Sequence, residues 1–92
     1  MLIEDIIKNY KYKDLIEDLR IGHEIEFEYE GDKYAIVNRS IEPAWYISKN
    51  NKLYTSYWDN PVDMVTEILI DGKSLKEIFD NGLLDLKGFY IL

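Results

Sequence analysis

No cysteine occurs in the 92 residues, which removes disulfides, thiolate nucleophiles and thiolate metal ligands. Histidine occurs once, as His23, so the usual pairings of a nucleophile with an imidazole base have little to draw on. Proline is scarce, at two residues, and the five glycines form neither GxGxxG nor GxxxxGK[ST]. Positive charge is short as well. Eleven Lys and Arg against 18 Asp and Glu leave a formal net charge of −7, which opposes nucleic acid and anionic membrane surfaces and suits a cationic protein partner. No apolar run approaches the ~20 residues that span a bilayer. The start, MLIEDIIKNYKYK, lacks the basic head, apolar stretch and cleavage site of a signal peptide. The expectation is one soluble, cytoplasmic domain over residues 1–92.

What remains is a core-forming composition, 47% hydrophobic and 14% aromatic, which points to a packed globule rather than a disordered tail. Ile3, Ile6, Ile7 and Tyr10 share one helical face. Tyr12, Leu15, Ile16 and Leu19 share another, rotated from the first, so a kink or a break is predicted within NYKYK, with Gly22 ending the helix. HEIEFEYE at 23–30 then alternates with a period of two, the mark of a half-buried strand, and EGDKYAIVNR supplies a turn and a partner strand. A two-residue turn at Gly31-Asp32 sets Glu30 opposite Lys33, Glu24 opposite Arg39, Phe27 beside Ile36 and Tyr29 beside Tyr34. AWYISKNNKLYTSYW reads as a second hairpin about Asn50-Asn51, which brings Lys49 opposite Lys52.

Two short helices close the pattern. Asn60 as N-cap and Pro61 at the first position open one; Ser74 and Glu77 form a capping box for the other, which Gly82 ends. LLDLKGFYIL is either a final strand or an apolar tail on the core. The predicted fold is α+β: an N-terminal helical segment, a four-stranded antiparallel sheet from two hairpins, and two short C-terminal helices.

Chemistry finds few footholds. Ser40, Ser48, Ser56 and Ser74 lack an elbow motif, and Ser74 is explained as a cap. His23 falls at a helix-to-strand junction, where a solvated or capping role accounts for it. Carboxylates along one strand face stand about 6.6–6.8 Å apart, whereas calcium draws its oxygens to within about 2.3–2.6 Å, so Glu24, Glu26, Glu28 and Glu30 do not chelate as a row. No metal, cofactor or catalytic residue is predicted, and the chain does not read as an enzyme. Lys8, Lys11 and Lys13 make a small basic patch with acidic flanks, which does not amount to a nucleic-acid surface.

Binding surfaces are better represented. Glu24, Glu26, Glu28 and Glu30 form a one-sided acidic row, joined by Asp32 and Glu42, that suits a basic protein partner or stands as a solvated strand face. Its linear charge density is about half that of a DNA strand, at ~3.4 Å per phosphate, and Lys33 and Arg39 dilute it. Aromatics offer an alternative in Trp45, Tyr54 and above all Trp58, beside a loop and a helix cap, as an exposed patch for a partner or for a homodimer.

Two stretches, LRIGHEIEFEYEGDKYAI and ILIDGKSLKEIF, together with WYIS between them, resemble small acidic proteins of Gram-positive bacteria and their phages, over residues 14 to 80. The resemblance implies a mobile-element or accessory-gene context, in which small acidic proteins bind and inhibit other proteins. It carries no activity and no functional residue. The sequence therefore predicts a non-enzymatic protein that works by protein–protein contact, through its acidic sheet face or, alternatively, by self-association through aromatics.

Overall fold

A computed structural model describes residues 9–92. Ile3, Ile6, Ile7 and Lys8 of the predicted first helical face and basic patch lie outside them. The first helix of the described chain, α1 (Tyr12–Arg20), starts within NYKYK and Lys11 before it is extended, while the helical stretch expected before that motif lies outside the described residues. Two carboxylates satisfy backbone donors there: Asp14 accepts from the Lys11 N–H at 2.8 Å, and Asp80 accepts from the Tyr12 N–H at 2.9 Å. Gly22 ends the helix as predicted. Its φ of +95° lets its N–H reach the Leu19 carbonyl while the His23 N–H reaches that of Asp18, the paired closure that a left-handed residue permits.

Four strands follow in two hairpins: β1 (Ile25–Tyr29), β2 (Asp32–Asn38), β3 (Trp45–Lys49) and β4 (Lys52–Leu53). Helix α2 (Pro61–Glu67) opens as predicted, the Asn60 side chain accepting from the N–H groups of Val62 and Asp63. A small hairpin, β5 (Leu69–Ile70) and β6 (Lys73–Ser74), leads into α3 (Leu75–Asp80), where Ser74 Oγ accepts from the Glu77 N–H at 3.1 Å. The chain ends in β7 (Asp85–Ile91). The architecture is α+β, with sheet order β4-β3-β2-β1-β7 and antiparallel pairing throughout. The sheet thus has five strands rather than four, because LLDLKGFYIL supplies a strand that returns to β1.

The first hairpin turns one residue earlier than the sequence predicts. Its turn residues are Glu30 and Gly31, with φ of +55° and +81°, the mirror-image geometry whose twist matches that of paired strands. Phe27 therefore sits opposite Tyr34, Ile25 opposite Ile36, Glu28 opposite Lys33 and Glu26 opposite Ala35. The partners differ from prediction by two residues, so every side chain keeps its predicted face. The shift has a physical return. Asp32 becomes a strand residue, where its carboxylate accepts from Asn50 Nδ2 at 2.9 Å and lies 3.6 Å from Lys49 Nζ. Phe27 and Tyr34 stack with ring centroids 5.3 Å apart.

The second hairpin turns at Asn50-Asn51, both with positive φ, and Lys49 does face Lys52. The like-charge pair is tolerated because Lys49 leans to Asp32. Strand β4 stops after two residues because Thr55 Oγ1 takes the Ile47 N–H, at 3.0 Å, in place of a backbone carbonyl.

One sheet face builds the core. Ile25, Phe27, Tyr29, Tyr34, Ile36, Trp45, Ile47 and Phe89 meet Leu15 and Leu19 of α1, Met64 and Val65 of α2, and Leu75, Ile78 and Phe79 at α3. The described helices bury their apolar side chains on that face, and among the described residues none of them covers the opposite face.

Candidate functional site

The face away from the core is set by the same alternation. Strand β1 places Glu26 and Glu28 on it, β2 places Lys33, Ala35 and Val37, and β3 places Tyr46 and Ser48, with Leu53 opposite Ser48 on β4. From β7, Tyr90 stands opposite Glu26 and Asp85 opposite Glu28. Between those pairs β7 carries extra residues, a bulge that brings Gly88 under Glu28. Small side chains at Ala35 and Ser48 leave a trough along the middle of the sheet. It consists of two depressions of about 130 and 380 Å³ that share Glu26, Ala35, Ser48 and Asn51. Lys33, Lys87 and Tyr90 rim the first; Tyr46, Leu53 and Tyr57 rim the second.

The rims differ in chemistry. Toward β1 and β7 lie Glu26, Glu28 and Asp85, with Lys33 and Lys87 among them. Toward β3 and β4 lie Tyr46, Leu53 and Tyr57, with Lys52 beside them. Tyr46 and Tyr57 meet edge to face at 5.5 Å, and the Arg39 guanidinium lies 3.7 Å from the Tyr57 ring centre. Arg39 Nε also donates to the carbonyls of Ile41 and Pro43. Arg39 is thus held by its own loop, and the ion pair expected between it and Glu24 is not formed.

The predicted acidic row divides into three kinds of residue. Glu24 is half-buried and its carboxylate accepts from the Asn38 N–H at 2.7 Å, which makes it a strand-end clasp. Glu26 is exposed and Glu28 half-buried, and neither has an ion pair within 4 Å among the described residues. Glu30 is exposed but belongs to the turn, outside the strand row. Of the two acids expected to join them, Asp32 is tied to Lys49 and Asn50, and Glu42 is an exposed loop residue.

Trp58, predicted as an exposed aromatic, is half-buried. It forms a strand-like bridge with Trp45 through reciprocal backbone hydrogen bonds of 2.9 and 2.7 Å, and it packs on the core. Trp45 is buried. The exposed aromatics are instead Tyr54, Tyr57 and Tyr90, of which Tyr57 and Tyr90 border the trough. Sequence reasoning missed Tyr90 because the bulge in β7 breaks the period of two. Ala35 and Ser48 were legible only as gaps between the large residues of their strands.

His23 is half-buried at the junction between α1 and β1, and among the described residues no three acidic or histidine side chains gather as metal ligands do. No helix of the described residues is long and apolar enough to cross a membrane. The arrangement is a trough with carboxylates and lysines interspersed on one side and aromatic side chains on the other. Compared with known proteins, the chain matches no family model, no curated protein and no solved structure.

Proposed function

We propose that this chain is a non-enzymatic, cytoplasmic protein-binding module whose open sheet face docks a basic surface of a partner, in the manner of an accessory or inhibitor-like protein of a phage or other mobile element. The observation that supports it is the position of Glu26 and Glu28: on a sheet face the described helices leave uncovered, without an ion pair of their own. A net charge of −7 adds long-range attraction for a cationic partner.

Capture from lysate tests the reading. Glu26→Lys/Glu28→Lys is expected to lose the partners that the wild type retains, whereas Glu67→Lys/Glu77→Lys, on exposed helical positions, keeps them. Raised salt is expected to weaken capture as well, since exposed charges are screened over about 8–10 Å at moderate ionic strength. Capture indifferent to both the reversal and the salt sinks the proposal. Self-association through aromatics is the second reading, with Tyr57 and Tyr90 as its anchors because they are exposed at the trough. Sedimentation that gives a monomer at every concentration disposes of it.

A further inference from the structure

The shape of the trough says more than its charge does. Glu26 and Glu28 on β1 and Leu53 on β4 flank β2 and β3 on this face, and three strand intervals of about 4.8 Å set those flanking strands about 14 Å apart. An α-helix with its side chains is about 10–12 Å in diameter, and a single strand is far too narrow to touch both rims. The sheet edges do not invite strand addition either. Strand β4 has two residues, and in β7 the Lys87 N–H already donates to its own neighbour Asp85, at 2.9 Å. Covering an open sheet face with a helix is also how layered domains complete a core.

Resting on the reading that this face binds a basic partner, we infer that the occupant is an amphipathic helix, its apolar stripe seated on Ala35, Val37 and Leu53 and a Lys- or Arg-rich flank lying over Glu26 and Glu28. The seven residues of β2 span about 23 Å, which four turns of helix match at about 1.5 Å per residue. Reversed docking puts basic side chains against Leu53 and Tyr46 and an apolar stripe against carboxylates, so the two rims also fix the direction in which the flank faces.

Three synthetic 18-residue peptides test this against the isotope-labelled full chain by amide chemical-shift mapping. One is a leucine–lysine sequence with helical periodicity, one has the same composition alternating with period two, and one is the helical design with glutamate for lysine. The helical leucine–lysine peptide is expected to shift Glu26, Ala35, Val37, Ser48 and Leu53, to become helical on binding, and to bind about tenfold less tightly to Glu26→Lys/Glu28→Lys. The glutamate peptide is expected to leave those amides unmoved; equal binding by it overturns the charge half of the inference. Equal binding by the period-two peptide overturns the helix while the basic-partner reading stands. Shifts confined to α1, α2 and α3, or no shifts with either lysine peptide, overturn both.

Discussion

Gly88 sits directly beneath the Glu28 side chain. A Cβ built there lies 2.8 Å from Glu28 Cβ and closer still to Cγ, so alanine at this position has to displace the glutamate and push β7 away from β1. Gly88→Ala is expected to destabilise the fold by about 1–3 kcal/mol, in the range of overpacked sites, and a second change, Glu28→Gly, to recover most of that loss. A denaturation cycle of the two single variants and the double measures it; simple additivity means the contact is not the cause. Tyr10 offers a pH test at the same scale. It is buried against Phe89, with ring centroids 4.8 Å apart, and its hydroxyl donates to the Asp18 carboxylate. Burial first, and the Asp18 bond and charge after it, hold its phenol far above the ordinary 10.0. A pKa raised in the folded state gives stability that is complete below the unfolded value and declines above it. The melting temperature is expected to fall more steeply above pH 10 for the wild type than for Tyr10→Phe, and parallel curves refute the assignment.

At the scale of elements, the turns decide where prediction and structure part. Glu30 adopts φ +55°, a conformation costing most non-glycine residues about 1–2 kcal/mol but routine for asparagine. Glu30→Asn converts the turn to Asn-Gly, the favoured pair for this geometry. It is expected to stabilise the hairpin by roughly 0.5–1 kcal/mol, read from the denaturant midpoint. With the turn at Gly31-Asp32, as the sequence suggests, the same change is neutral. The helices were more legible because their signals are local: Asn60 with Pro61, Ser74, Gly22 and Gly82 each act within one turn of the residue that declares them. The faces of β1 and β2 were legible too, since a two-residue slip preserves them. Strand β7 was legible only as one of two readings, a strand or an apolar tail, because its bulge disrupts alternation and its partner β1 lies about sixty residues earlier in the chain.

At the scale of the whole molecule, a charge of −7 does not mean that every carboxylate is available to a partner. Asp80 shows the internal use of charge. It joins α3 to the start of α1 through the Tyr12 N–H and is bonded to Lys76 at 2.6 Å, and these bonds, that to Lys76 foremost, hold its carboxyl below the ordinary range. Asp14, Asp32 and Glu24 are likewise engaged within the fold. The sequence shows the acidic row of β1 as four equal residues, since neither the Asn38 N–H that claims Glu24 nor the turn that removes Glu30 is visible in a period of two. The division makes a discriminating expectation. Glu24→Ala leaves a half-buried N–H without its charged acceptor and is expected to destabilise by about 1–3 kcal/mol. Glu26→Ala, two residues along the same row, is expected to change stability by no more than about 0.5 kcal/mol while weakening capture of a basic partner. Paired melts and binding measurements on the two variants separate the roles. If Glu26→Ala destabilises as much as Glu24→Ala, the exposed carboxylate belongs to the fold and not to a docking surface.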